Sequence, residues 1–324
     1  MLNFTSKIGI GPMSKNIVDF SMEYADKRNC KIILIPSRRQ VEYSGGYVNN
    51  WTTLEFSNYV KTKSNNIILE RDHGGPGQGS NMDNGLKSLE EDAKAFDIIH
   101  IDPWKKHPDI EEGSAKTAEL INHCLHYNEN IKFEIGTEQA IRPMTASDIE
   151  HMLNIVKKAL GATFDKVIYV VIQSGTGISN GKNIGQYDSG KLIDMLNVIK
   201  KYGKLSKEHN GDFIPANSII DRFKLGLNTI NIAPEFGRME TDSYIKLLSN
   251  SEFEYMFKIC LESEKWKKWV SDDFNPYDRK EELVRITGHY ILSDDKFSDI
   301  KSKYPIVDTM VKEALFSRLD SILC

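Results

Sequence analysis

Eight short runs of β-forming residues recur along roughly the first 240 residues, separated by stretches with helical periodicity, as successive βα units require. The runs are Ile8–Met13, Lys31–Ser37, Asn66–Arg71, Ile98–Asp102, Lys132–Gly136, Lys166–Ile172, Lys204–Glu208 and Thr229–Ala233. Helical patterns between them include Ile17–Lys27, Leu54–Lys63, Ala115–His126, Ala146–Leu160, Lys191–Tyr202 and Ser218–Leu225. In Ala146–Leu160 the apolar residues Ile149, Met152, Leu153, Val156 and Leu160 fall on one helix face. This is the element count of an α/β fold of the (β/α)8 TIM barrel type. A doubly wound sheet would alternate too, but no G-x-G-x-x-G fingerprint follows the first strand.

Past about Asn250 the alternation stops. Phe253–Lys268 and Val307–Leu323 read as helices, with Trp266, Trp269, Phe274 and Tyr277 in or near the segment between them. The expected organisation is a barrel over 1–245 and a helical C-terminal extension over 246–324. The extension's aromatics favour packing or oligomer contacts over a cofactor site. A net charge of −4 and scattered lysines argue against nucleic acid or an anionic membrane as partner. The cysteines Cys30, Cys124, Cys260 and Cys324 form no C-x-x-C pair. The N-terminal residues lack the apolar core of a signal peptide, and no apolar run reaches membrane-spanning length. A cytoplasmic, thiol-reduced protein is expected.

Polar residues collect where the strands end, which in a (β/α)8 barrel is the catalytic face. Leu69-Glu-Arg-Asp-His-Gly-Gly-Pro76 places Asp72 and His73 at the end of the third strand, before a glycine-rich turn. Neighbours on a strand point to opposite faces, so both can serve one site only if the strand end twists; a solvated turn is the alternative. Ser37-Arg38-Arg39 ends the second strand. His100 and Asp102 lie on the fourth, and Glu134 with Glu138 on or just past the fifth. Gln173 to Gly177 ends the sixth, His209-Asn-Gly-Asp212 the seventh, and the eighth contains Asn231. His100 has apolar neighbours and reads as a core histidine. His107, His123, His126, His151 and His289 read as structural.

Three of these segments resemble the class II (metal-dependent) ketose-bisphosphate aldolase superfamily. They are Asp72-His-Gly74, His209-Asn-Gly-Asp-Phe-Ile-Pro215, and Gly226-Leu-Asn-Thr-Ile-Asn-Ile-Ala-Pro-Glu235. The likeness covers residues 5–245, with ungapped spacing between the last two segments. Gln40-Val41, Gly45-Gly46-Tyr47 and Ile135-Gly-Thr-Glu138 are closer to the branch containing the tagatose-bisphosphate aldolase accessory subunit. The resemblance implies a lyase with a divalent cofactor, usually zinc, held by histidines on strands 3, 6 and 7. Carried over, His73 and His209 are metal ligands and Glu134 lies close enough to complete the set. Asp72 is the acid/base and Asn231 contacts the substrate. Glu138 is a second candidate base. Ser37, Gly211, Asp212 and Arg238 are candidate substrate-binding residues.

The departures are specific. Thr176 stands where strand 6 should carry its histidine, leaving a two-histidine, one-carboxylate set. Asp212 and Pro234 replace a serine and a threonine of the donor-phosphate loop, adding negative charge and removing donors. The expected activity is cleavage or formation of a carbon–carbon bond in a sugar or sugar phosphate, with an altered donor-phosphate site. A non-catalytic accessory subunit and a metal-dependent sugar isomerase or epimerase are the alternatives. A homo-oligomer, or a complex with another aldolase subunit, is the expected assembly.

Overall fold

The computed structural model describes residues 4–179 and 181–324. Met1 to Asn3, part of the N-terminal segment read above for a leader, lie outside the described residues. Eight parallel strands close into a barrel in sequence order, the first pairing with the last. They are β1 (Ile8–Ile10), β2 (Ile32–Leu34), β3 (Ile67–Gly74), β4 (Ile98–Ile101), β5 (Lys132–Ile135), β6 (Val167–Ile172), β7 (Leu205–Glu208) and β8 (Thr229–Ile232). Each falls within or closely overlaps its expected run. Most are shorter, because their polar ends leave the ladder to form the loops of the mouth.

Around the barrel run α1 (Lys15–Arg28), α2 (Thr53–Lys61), α3 (Leu86–Ala95), α4 (Ile110–Leu125), α5 (Ala146–Leu160), α6 (Ser189–Lys201), α7 (Ala216–Leu225) and α8 (Pro234–Ile245). On α5, Ile149, Met152, Leu153, Val156 and Leu160 are the buried face, and Thr145 with Asp148 forms a capping box at its start.

The barrel interior is layered. Ile33, Ile35, Ile68, Ile98 and Tyr169 form an apolar plug of their own. Next come Glu70, Glu134 and Lys207, all fully buried. Lys207 Nζ meets Glu134 Oε2 at 2.5 Å and also pairs with Glu70. Against the cost of burial, the Lys207 and His100 charges hold Glu134 well below the usual carboxylate range. Burial, reinforced by the charge of Glu134, pushes Glu70 well above it. Glu70 therefore keeps its proton, Glu134 carries the charge, and the triad is neutral overall.

The chain continues as α9 (Asn250–Glu262), α10 (Lys280–Thr287), α11 (Asp295–Lys303) and α12 (Ile306–Leu323). The helix expected to reach Lys268 ends at Glu262, and α10 and α11 occupy the stretch before α12. Val307, Val311, Leu315 and Leu319 recur every fourth residue of α12, all buried, and α12 packs on α1 and α8. Its Arg318 pairs with Glu235 of α8 at 2.7 Å. These residues belong to the same apolar core as the barrel's helices. Trp266 packs on Phe274 as a structural aromatic, whereas Trp269 and Tyr290 reach the barrel mouth. Among the described residues no helix is long and apolar enough to cross a membrane.

Candidate active site

Asp72 and His73 reach one site because the strand bends between them. The β3–β4 register shifts between Arg71 and Gly74, and His73 sits at φ +48°, in the left-handed region. This strained backbone turns two consecutive side chains inward, as the sequence reading required. Neighbouring Arg71 points the other way, onto Asp92 of α3.

Four side-chain atoms converge at the mouth. Asp72 Oδ1 lies 3.7 Å from His73 Nε2, 3.9 Å from His100 Nδ1 and 3.8 Å from His209 Nδ1. All four ligand atoms lie within 4.8 Å of one another. A tetrahedral ion with bonds of about 2.0–2.2 Å needs ligand atoms about 3.3–3.6 Å apart, so the Asp72 edges must close by a few tenths of an ångström and the edges between the imidazoles by up to about 1.5 Å.

The opposite nitrogen of each ring is already held. His73 Nδ1 meets Asp102 Oδ2 at 2.5 Å, His100 Nε2 meets the Gly136 carbonyl at 3.0 Å, and His209 Nε2 meets Glu134 Oε1 at 2.7 Å. Carboxylates and carbonyls on the far nitrogen are the usual support of metal-binding imidazoles, because they fix tautomer and ring orientation. The charge balance also suits a cation. Despite burial, the Asp72, Asp102 and Glu138 carboxylates raise His73 to about 10, so the ring holds a proton among them. Asp72 is held well below the usual range, its burial outweighed by the His73, His209 and His100 charges. The residues present fit a divalent ion.

Each residue singled out in the sequence has a place here. His73, His209 and Asp72 are in the converging set. Glu134 stands behind His209, between it and Lys207, rather than among the four atoms. Thr176, at the position of the strand-6 histidine, donates its hydroxyl to the His209 carbonyl at 2.8 Å. Glu138 lines the mouth, accepts from Asn210 Nδ2 at 2.6 Å and lies 4.0 Å from His73 Nε2. Asn231 is buried and its Oδ1 has no partner among the described residues. Ser37 lines the mouth. Gly211 bonds to the Asn231 carbonyl at 2.8 Å and leaves no room for a side chain against Ile230.

Asp212 and Arg238 are turned to other tasks. Asp212 Oδ1 accepts from the Ala233 and Glu235 amides at 2.9 and 2.7 Å, capping the start of α8 with an internal carboxylate. Arg238 donates to the Gly181 carbonyl at 2.9 Å and lines a separate small cavity with Phe213 and Arg285.

His100 is the residue that sequence reasoning underrated. Its apolar neighbours suggested a core position, but it shares the inward phase of β4 with Ile98 and Asp102. The alternation itself carries that signal, once the strand's inward face is fixed. His289, read as structural, is buried at the edge of the mouth, where burial with Lys268 nearby lowers it to about 3.

Above the four atoms opens a pocket of about 240 Å³, just below the usual range of small-molecule sites and open to solvent at its mouth. Its walls come from the loops after β2, β3, β4, β5 and β8 and from Lys268, Trp269, His289 and Tyr290 of the tail.

No protein-family model matches the chain, and no curated protein matches it in sequence. Its structure is similar to that of a probable tagatose 6 phosphate kinase from Sinorhizobium meliloti 1021, with a TM-score of 0.73, 14% identity and 98% of each chain covered. It is also similar to the fructuronate-tagaturonate epimerase UxaE from Cohnella laeviribosi, with a TM-score of 0.63, 10% identity and 98% and 81% of the two chains covered. A fructose-bisphosphate aldolase from Campylobacter jejuni gives 0.61, 14% identity and 99% and 91% coverage. At these identities the likeness is one of fold, the (β/α)8 barrel expected from the sequence.

Proposed function

We propose that this protein is a metal-dependent sugar enzyme whose reaction is retro-aldol cleavage or its reverse. One observation carries the reading: Asp72, His73, His100 and His209 converge at the barrel mouth, and each histidine is braced on its far nitrogen. A divalent ion held by these residues, zinc being the first choice for a His-rich tetrahedral set, supplies Lewis-acid polarisation of a ketose carbonyl and its neighbouring hydroxyl.

The chain's own groups do the rest. Asp72, held ionised among three imidazoles, suits a ligand better than a proton carrier, so the acid/base role that the family resemblance implies for Asp72 is assigned here to Glu138. Glu138 accepts the proton of the hydroxyl whose neighbouring carbon–carbon bond breaks, and that bond's electrons move into the polarised carbonyl. Asn210 orients the Glu138 carboxylate. Trp269 and Tyr290 wall the pocket against bulk water.

The second reading, sugar epimerisation, draws on the fold shared with UxaE. It uses the same residues and differs in whether the fragments separate.

Zinc-loaded protein incubated with ketoses, ketose phosphates and keto-uronates, followed by NMR, separates the readings. Retro-aldol cleavage gives two carbonyl fragments; epimerisation gives one product of unchanged carbon number. Glu138→Gln is expected to keep the metal and lose about 10²–10⁴-fold in turnover. Chelator-insensitive turnover, or full activity in Glu138→Gln, contradicts the proposal. A protein that takes up no metal favours the accessory-subunit reading.

A further inference from the structure

The pocket has an acidic floor and a basic rim. Asp72 and Glu138 lie low, while Arg39, Lys105 and Lys268 line the same pocket from the β2–α2 loop, the β4–α4 loop and the tail. Among the described residues none of these cations makes an ion pair with an acid. Lys105 Nζ donates to Gln78 Oε1 at 2.7 Å, Arg39 makes only a long contact to the Gly79 carbonyl, and Lys268 lies over the Trp269 and Tyr290 rings. They repel one another: burial first, then the charges of Arg39, Lys265 and Lys105, lowers Lys268 to about 8. Lys105 is lowered too, by burial and Arg39, which together outweigh the opposing Asp102, Glu138 and Asp72 charges. Gathering three cations on one rim with no acid in direct contact costs free energy that a bound anion would recover.

The opposite side of the mouth is closed to anions. The amides at the start of α8 are taken by Asp212, Pro234 has no N–H to offer, and Glu235 is committed to the Phe213 amide and Arg318.

We propose that Arg39, Lys105 and Lys268 form the anion-recognition site of this enzyme, and that its substrate is a polyol chain with one terminal anionic group, a phosphate monoester or a carboxylate, at the end remote from Asp212. The tail thereby becomes part of the substrate site, through Lys268. The proposal deepens the metal-dependent sugar reading and rests on it for the polyol at the floor.

The test is isothermal titration of zinc-loaded and zinc-free protein with D-glucitol 6-phosphate, D-gluconate, D-glucitol and D-glucitol 1,6-bisphosphate. One of the two polyols with a single anionic group should bind at least about tenfold more tightly than neutral D-glucitol, and the better of the two identifies the anion. Arg39→Gln, Lys105→Gln and Lys268→Gln should each weaken that binding about 10- to 100-fold, the loss of one charged hydrogen bond. Zinc content should stay unchanged, and Lys268→Arg should restore most of the affinity. Equal affinity for neutral and anionic polyols, or unchanged affinity in the three variants, overturns the site. Binding of the bisphosphate more than about tenfold more tightly than the better of those two polyols overturns the single-anion clause. Failure of zinc uptake, with the anion pattern intact in zinc-free protein, refutes the metal reading and leaves the anion site standing.

Discussion

Lys207→Met removes the only cation from the buried layer beneath the site and tests the charge assignment there. The wild-type triad is neutral, with Lys207 fully buried between Glu70 and Glu134. Without Lys207 the Glu134 charge loses its nearest and largest counter-charge, only His209 and His100 remaining against it, and the folded protein is expected to bind a proton there instead. An unfolded glutamate titrates near 4.3, so taking up that proton at pH 7 costs about 1.36 × 2.7, or ~3.7 kcal/mol. This agrees with the ~3–5 kcal/mol typical of breaking one side of a buried pair. At roughly 2.1 cal/mol/K of unfolding entropy per residue over the whole chain, Tm falls by about 5 °C. In the variant the folded carboxyl pKa lies above the unfolded one, so its contribution is fully present below pH 4 and is lost as pH rises. The deficit relative to wild type should therefore shrink by about 1.4 kcal/mol per unit from pH 7 to pH 5. Urea unfolding of chelator-treated wild type, Lys207→Met and Lys207→Met/Glu134→Gln at pH 5, 6 and 7 measures this. The double variant should regain most of the loss at pH 7. A deficit under about 1 kcal/mol at pH 7, or one independent of pH, refutes the reasoning.

Two further outcomes are expected. Burial, with the Glu235 charge nearby, raises Asp212 to about 7, so its contribution to stability is lost as pH rises from about 4 through 7. Wild type should lose about 2–3 kcal/mol more than Asp212→Asn between pH 5 and pH 8, measured by urea unfolding; parallel pH profiles would contradict this. Leu315→Ala opens a cavity in the fully buried stripe of α12 and should cost about 2–5 kcal/mol by the same assay. A loss under about 1 kcal/mol would show that the tail is not part of the barrel's core.

Most strands were legible because they concentrate Ile, Val and Leu and then break into polar residues, although β7, Leu205-Ser-Lys-Glu208, carries a single apolar residue. The same break exposed Asp72, His73 and His209, while Asn231 stood out as a polar residue within an apolar strand. The helices after β3 and β8 were harder to single out. α3 is rich in Lys and Glu, with few apolar positions to mark a face. α8 begins at Pro234 and carries Gly237, where a Cβ would come within 2.8 Å of the His289 side chain. Glu134 drew attention as a metal neighbour, but its tie to Lys207 crosses from β5 to β7, which only barrel closure brings together. The rim cations were hidden for the same reason. Arg39 stands at the end of the second strand, and nothing in sequence joins it to Lys105 or to Lys268 far along the tail.

The central claim is that a divalent ion is held by His73, His100, His209 and Asp72, with Glu134 supporting His209 from behind. Zinc stoichiometry and affinity in His100→Ala and Glu134→Gln, each folded by circular dichroism, test it most directly. The account predicts about one zinc per wild-type chain, its near-complete loss in His100→Ala, and retention in Glu134→Gln with affinity about 10- to 100-fold weaker. Undiminished zinc binding by His100→Ala, together with its loss in Glu134→Gln, would contradict it.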